Sequence, residues 1–214
     1  MKRRVAILIS GRGSNMAALI QAAAAEDFPA QIVVVVSNRA DAGGLETAKA
    51  SGVPTVTIES KPFGKDRAAF EAVLQSALER HQVDLICLGG FMRLFTAEFV
   101  QRWYGRMLNI HPSLLPSFPG LDPQGQALRA GVKISGATVH FVIPETDAGP
   151  ILMQGAVAVR DDDTQGTLGA RILAIEHRIY PEALRLLADG QIRLEGDICK
   201  TGSASPGDVL ISPT

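Results

Sequence analysis

The sequence predicts an α/β fold in which helices cover both faces of a doubly wound, mostly parallel sheet. Two observations predict it: short aliphatic runs alternate with longer helical patterns, and the runs are apolar enough to be buried on both faces. Repeated strand–helix units form parallel sheets, and strands of such sheets read as nearly continuous apolar runs. A chain of 214 residues is long enough for one such domain.

The first half of the chain carries the alternation most clearly. The predicted strands are residues 4–9, 31–36, 55–58, 84–88 and 107–110. The predicted helices between them are residues 15–25, 44–51, 65–81 and 96–103. The first strand breaks at once into a glycine-rich turn, so it does not continue into the longer apolar stretch of a signal peptide.

The regular alternation of predicted strands and helices ends after the fifth strand. A Pro-rich loop and a short helix at 124–130 lead into strands at 136–143 and 150–159, which we expect to pair with each other. A long amphipathic helix at 164–188 follows, with Thr164 or Asp163 as its cap and Gly190 after its end. We expect one domain over 1–200 and a disordered tail over 201–214, which is rich in Ser, Gly and Pro.

Composition argues against several classes of protein. The 21 basic and 22 acidic residues nearly balance, so we expect no nucleic-acid partner. Cys87 and Cys199 have no second cysteine or histidine at ligand spacing, so we expect neither a disulfide framework nor a metal site. No run approaches the 18 apolar residues of a membrane span, and we expect a cytoplasmic protein.

Functional residues of an open α/β sheet collect beyond the carboxyl ends of its strands. Three loops in such positions stand out: residues 10–15, 89–93 and 109–113. The first runs straight from a strand into a helix, which directs free N–H groups and a positive helix end at a possible phosphate. The loop has Met16 where a dinucleotide-binding fingerprint has its third glycine. It does not match the Walker pattern either. A phosphate-binding loop and a merely tight turn both remain open.

Several polar residues are ambiguous on their own. His111 precedes a proline at the end of a strand, a place that suits both a catalyst and a bracing loop histidine. Asp147 lies in a corner where a carboxylate often satisfies its own turn. Arg67 is also typical of a solvent-exposed helix residue, and residues 92–95 are also typical of the segment that leads into a helix. We expect His81 and His140 to be structural.

With these residues assembled, the chain closely resembles the folate-dependent glycinamide ribonucleotide formyltransferases of purine biosynthesis, over about residues 4–195. The motifs that carry the resemblance are Gly13-Ser14-Asn15, Gly90-Phe91-Met92-Arg93, Asn-Ile-His-Pro-Ser-Leu-Leu-Pro from Asn109, and Val-His-Phe-Val followed by Asp147 and Gly-Pro. The resemblance implies a formyltransferase-like variant of the Rossmann fold.

The resemblance also implies roles for individual residues. The catalytic set would be Asn109, His111 and Asp147. Gly13, Ser14 and Asn15 would hold the substrate phosphate, and Glu176 would contact the ribose portion. The co-substrate 10-formyltetrahydrofolate would lie against the residues Arg67, Met92, Arg93, Leu94, Phe95 and Asn109. No metal is required.

The chemistry of this set is coherent. An amine that attacks the formyl carbon builds negative charge on the formyl oxygen, which Asn109 and protonated His111 can stabilise as donors. A nearby Asp147 carboxylate favours the imidazolium form of the histidine and can help to move the proton through water. Two departures from the family pattern are the stretch 122–126, where many members carry histidine, and Ala148 in place of an expected glycine.

Three other functions share parts of this pattern. Methionyl-tRNA formyltransferase and formyltetrahydrofolate hydrolase use the same catalytic residue types, but each is expected to carry an additional domain for which this chain has no room. A nucleotide-binding module without chemistry would keep the phosphate loop but has no need for Asn109, His111 and Asp147. The oligomeric state is left open by the sequence.

Overall fold

The computed structural model describes residues 1–201, which contain nine strands and six helices. The strands are β1 Arg3–Ile9, β2 Ala30–Ser37, β3 Thr55–Thr57, β4 Leu85–Leu88, β5 Met107–His111, β6 Ile134–Phe141, β7 Ile151–Ala158, β8 Ile192–Glu195 and β9 Ile198–Thr201. The helices are α1 Ser14–Ala23, α2 Gly44–Ala50, α3 Arg67–Arg80, α4 Ala97–Arg102, α5 Pro123–Ala130 and α6 Gln165–Ala188. The tail expected to be disordered lies, apart from Thr201, outside the described residues.

The chain forms two compact units, one spanning Met1–Asn109 and one beginning at Ile110. In the first unit, β1 pairs in parallel with β2 and β4, β2 pairs with β3, and β4 pairs with β5. The residues of β1 from Val5 to Ile9 are fully buried, as the apolar runs predict. Side chains cap two helices of this unit: Asp66 accepts from the N–H of Ala69, and Thr96 accepts from that of Phe99.

In the second unit, β6 and β7 form the predicted antiparallel pair, with Ile134 opposite Ala158. Helix α6 packs on this pair through a buried apolar cluster, whose residues are Ala127, Ala137, Val157, Leu168, Ile172 and Ile175. Thr164 caps α6 in a capping box with Thr167, as expected. The hairpin β8–β9 was not predicted, although Ile192, Leu194 and Ile198 alternate around a Gly-Asp turn.

The strand order of the main sheet is β3-β2-β1-β4-β5-β6-β7, which confirms the predicted mostly parallel α/β fold with a late antiparallel pair. Most predicted boundaries agree to within two residues. Strand β5 continues through His111 rather than ending at Ile110, so the histidine is held by the strand itself. Among residues 1–201 no helix has the length and apolar character needed to cross a membrane. The expectation of a single domain stays a prediction.

Candidate active site

The first loop of interest joins β1 to α1 and is built for a sharp turn. Gly13 has a φ of 71°, and a Cβ there would lie 3.1 Å from the Cα of Gly44 and 3.2 Å from the Cε of Met16. Only glycine fits this position without strain. Gly13 is also the N-cap of α1, and no side chain caps that helix end. The structure therefore shows a tight turn into a helix end without a side-chain cap, and a phosphate site in this loop stays a prediction.

The loops that follow β1 and β4 meet at one edge of the sheet in the first unit. The Oγ of Ser10 accepts a hydrogen bond of 2.8 Å from the N–H of Met92 and donates one of 2.6 Å to the Oδ1 of Asn38. The Nδ2 of Asn38 in turn donates to the Oγ of Ser60. Sequence reasoning gave Ser10 and Asn38 no individual role, yet their side chains join the four segments that follow β1, β2, β3 and β4.

The segment 91–95 presents apolar side chains to solvent. Met92 is 70% exposed and Leu94 is 56% exposed. Behind them, the rings of Phe91 and Phe95 stack with their centroids 5.4 Å apart. Exposed apolar residues on a rigid support are typical of surfaces that bind a flat organic group.

Arg93 braces this segment from within the first unit. Its guanidinium carbon lies 4.6 Å from the centroid of the Phe70 ring. Its terminal nitrogens donate to the carbonyl oxygens of Gly64 and Asp66, each at 3.4 Å. Arg67, the first residue of α3, is exposed beside this point in the chain. Two predicted folate residues are thus linked through one short stretch of backbone.

Asn109 lies at the carboxyl end of the parallel sheet. It pairs in register with Leu88 of β4, and Leu88 pairs with Leu8 of β1, so three strand ends coincide. His111 follows two residues later on β5, and residues at this spacing in a strand point to the same face. Asn109 thus lies beside the strand ends from which the loops after β1 and β4 begin.

The second unit brings His111 and Asp147 together. The Nδ1 of His111 lies 3.4 Å from the Oδ2 of Asp147, and both side chains are less than a tenth exposed. The other ring nitrogen, Nε2, lies 2.9 Å from the carbonyl oxygen of Phe118. A carbonyl and a carboxylate can only accept hydrogen bonds. The imidazolium form is therefore the one in which both ring nitrogens donate to their neighbours.

Asp147 is bound to a distant part of the second unit. Its Oδ2 accepts a hydrogen bond of 2.9 Å from the N–H of Gly120, 27 residues earlier in the chain. The residue itself has a φ of 54°, a left-handed conformation that aspartate adopts more readily than most residues. Asp147 therefore does more than accept hydrogen bonds within its own turn, because this bond connects two loops.

His140 was expected to be structural, and the structure places it beside the same carboxylate. It is 3% exposed, and its Nε2 lies 3.8 Å from the Oδ1 of Asp147. Its Nδ1 lies 2.9 Å from the carbonyl oxygen of Phe141 and donates to it. Burial lowers the pKa of His140 by more than the Phe141 carbonyl and the Asp147 carboxylate raise it. His140 is thus the neutral histidine beside Asp147, and its apolar strand gave no sign of this position.

Glu176 is placed on α6 in the second unit and is 5% exposed. A carboxylate is seldom buried to this extent without polar partners. The remaining backbone groups of the site, the carbonyl of Phe118 and the N–H of Gly120, were missed by the sequence analysis. They carry no side-chain signal, so only the folded loop could reveal them.

Comparisons with known proteins show which family this chain resembles. A family model described as "Formyl transferase" matches residues 3–184. The trifunctional purine biosynthetic protein adenosine-3 of Bos taurus is 49% identical over 200 residues, which are 92% of this chain and 20% of that protein. This chain therefore spans about a fifth of the length of the trifunctional relatives.

Two further relatives match along most of both chains. The phosphoribosylglycinamide formyltransferase of Bacillus subtilis (strain 168) is 40% identical over 185 residues, which cover 86% of this chain and 94% of that protein. The crystal structure of glycinamide ribonucleotide transformylase 1 from Symbiobacterium toebii has a TM-score of 0.90 and 46% identity, with 94% of each chain covered. The resemblance seen in the sequence motifs is thereby confirmed, and the chain belongs to the formyltransferase family, among the phosphoribosylglycinamide formyltransferases.

Proposed function

We propose that this chain transfers the formyl group of 10-formyltetrahydrofolate to the amine of 5'-phosphoribosylglycinamide, giving the N-formyl product and tetrahydrofolate in purine biosynthesis. The observation that carries the proposal is the buried pairing of His111 with Asp147 at the end of β5. Family membership supports the reaction type, and relatives that serve purine biosynthesis support a cytoplasmic enzyme.

The reaction requires one bond to form and one to break at the formyl carbon. The substrate amine adds to this carbon, and the formyl oxygen takes up negative charge in a tetrahedral intermediate. The bond to N10 of the folate then breaks, and the proton lost by the amine is delivered to N10. A protein accelerates this sequence mainly through donors that are already positioned for the developing charge.

His111 and Asn109 are the proposed donors to the formyl oxygen. His111 suits the role in its imidazolium form, which the two acceptors around its ring favour. Asn109 adds a neutral amide donor two residues away on the same strand. Asp147 keeps the histidine charged and, through water, helps to carry the proton from amine to N10.

The loop between β1 and α1 is the proposed phosphate site. Gly13, Ser14 and Asn15 stand at the N-terminus of α1, which no side chain caps, and the positive end of the helix favours a phosphate there. We assign the ribose portion of the substrate to Glu176, whose carboxylate can accept hydrogen bonds from hydroxyl groups.

The segment after β4 is the proposed folate surface. Met92 and Leu94 offer exposed apolar area for the pterin ring, and Phe95 supports them from the aromatic stack. Arg93 holds the segment in place, and the exposed cation of Arg67 suits the anionic end of the folate. Asn109 completes the proposed folate set.

A turnover assay with purified protein tests the proposal. Formyl donor and phosphoribosylglycinamide are supplied together, and both tetrahydrofolate release and formyl product are measured. Equal release of tetrahydrofolate without any amine acceptor would indicate a hydrolase instead. Formylation of methionyl-tRNA in place of the ribonucleotide would indicate the tRNA enzyme, and binding without turnover would indicate a module without chemistry.

A further inference from the structure

The connection between β5 and α5 spans residues 112–122, and we call its residues 118–121 the bracing loop. The carbonyl of Phe118 accepts from the Nε2 of His111, and the N–H of Gly120 donates to the Oδ2 of Asp147. The loop therefore touches both members of the histidine–aspartate pair through its backbone alone.

The bracing loop is itself held by one side chain. The Nε2 of Gln126, on α5, donates a hydrogen bond of 3.1 Å to the carbonyl of Pro119 and one of 2.9 Å to the carbonyl of Leu121. An amide nitrogen has two hydrogens, so these two bonds use its full capacity as a donor. The two carbonyls flank Gly120 on either side.

Gln126 and Asp147 bind opposite sides of the same planar peptide group. The carbonyl of Pro119 and the N–H of Gly120 belong to one trans peptide, whose C=O and N–H point in opposite directions. A side chain that fixes the carbonyl on one side therefore aims the N–H at the other side. Gly120 has a φ of 78°, so this peptide has the freedom of glycine and needs an external support.

We propose that Gln126 is a positioning residue for the formyl transfer: by fixing the Pro119–Gly120 peptide, it aims the Gly120 N–H at Asp147 and so keeps the carboxylate in place beside His111. The inference rests on the proposed function. The groups that face the His111 ring are the Asp147 carboxylate, the Phe118 carbonyl and the neutral ring of His140. Gln126 acts on the carboxylate and on the Phe118 carbonyl through the bracing loop. The Phe118 carbonyl belongs to this loop, and the Gly120 N–H of the loop binds Asp147.

The sharpest test is Gln126→Glu, which keeps the shape and replaces the donor nitrogen by an oxygen. That oxygen would face two carbonyls, so the peptide is expected to rotate. We expect kcat to fall about tenfold, the size of one lost hydrogen bond to a charged group, with KM for the phosphorylated substrate little changed.

Two further variants separate positioning from packing. Gln126→Met removes the donor without adding a charge and should also lower kcat, by a smaller amount, with KM again little changed. Gln101→Glu makes the same exchange as Gln126→Glu at an exposed position on α4 and should leave both kcat and KM at wild-type values. Wild-type kcat in both Gln126 variants, or a rise in KM with kcat unchanged, overturns the proposal.

A measurement without turnover keeps this inference separate from the proposed function. In hydrogen exchange followed by NMR, the Gly120 amide should exchange at least about tenfold faster in Gln126→Met than in the wild-type protein, as expected for an amide that loses a hydrogen bond. Unchanged protection of Gly120 refutes the role of Gln126 even if the enzyme is active. A wild-type protein that shows this protection but does not formylate refutes the proposed function alone.

Discussion

The two units contribute functional groups of different kinds. In the first unit, the loop 10–15 offers backbone N–H groups, and Met92 and Leu94 offer exposed apolar surface. In the second unit, His111 and Asp147 are buried side chains fixed by hydrogen bonds to the bracing loop. Open surfaces and uncapped amides suit the binding of a substrate, whereas a buried pair suits stabilisation of a charge that develops during the reaction.

This difference has a kinetic consequence. Changes in the loop 10–15 or at Met92 and Leu94 should act mainly on KM, because they alter contacts that substrate and transition state share. Changes at Asn109, His111 or Asp147 should act mainly on kcat, because these residues act on a charge that matters most in the transition state.

The largest effect is expected for His111→Ala, which should lower kcat by about two orders of magnitude or more, the usual loss for an oxyanion donor. Asn109→Ala should show a loss of similar size for the same reason. Steady-state kinetics on protein whose fold is verified by circular dichroism makes the measurement. His81→Ala, a histidine at the end of α3, serves as the matched control and should retain wild-type turnover. A His111→Ala protein with more than about half the wild-type rate would remove His111 from the proposed mechanism.

The next effect concerns the phosphate and tests the first unit. The dephosphorylated glycinamide riboside should have a kcat/KM at least about a hundredfold lower than the ribonucleotide, because charge-assisted hydrogen bonds from the loop are lost. Varying the substrate rather than the protein is the better design here. Gly13→Val would strain the turn itself, because of its φ of 71° and its distance to Gly44. Equal use of both acceptors would falsify the phosphate site at Gly13, Ser14 and Asn15.

The same contrast explains what the sequence could and could not predict. Apolar periodicity was sufficient for the sheet and for α6, since buried strands and amphipathic helices impose patterns on neighbouring residues. The site residues Asn109, His111 and Asp147 were predicted through a family resemblance, because their local spacing fits ordinary turns equally well. Backbone groups such as the Gly120 N–H depend on how one loop folds against another, and no residue pattern encodes that.

His140 and Gln126 illustrate a second limit of prediction from the sequence. His140 lies in an apolar strand, where a histidine is most simply interpreted as structural, and only the β6–β7 pairing brings it near Asp147. Gln126 falls in the stretch that departs from the family pattern, so resemblance gave no role for it. Physical reasoning about its two carbonyl acceptors required the coordinates.

A smaller effect is expected for Asp147→Asn, which sharpens the assignment of charge within the second unit. The carboxylate lies beside the Nδ1 of His111, so removing its charge should lower kcat, with KM for the phosphorylated substrate little changed. The amide can still accept from the Gly120 N–H, which limits disruption of the loop. Steady-state constants of variant and wild type are compared. A kcat that stays at the wild-type value would contradict the pairing.

The smallest effect concerns the stability of the second unit and comes from His140. Burial holds the pKa of His140 below its ordinary value of 6.5, so the unfolded chain binds a proton there more readily than the folded one. Stability must therefore fall as the pH drops through about 6.5, by at most about 1.4 kcal/mol per pH unit for one group.

His140→Gln removes this titration and keeps a polar side chain of similar size. Urea unfolding at pH 7.5 and at pH 5 should show that the wild-type protein loses more stability on acidification than the variant, by about 1 kcal/mol. His177, whose pKa burial also lowers, is present in both proteins and cancels in the difference. If both lose the same amount, His140 is protonated in the folded protein. It would then compete with His111 for the Asp147 carboxylate, and the assignment of one charged and one neutral histidine would be wrong.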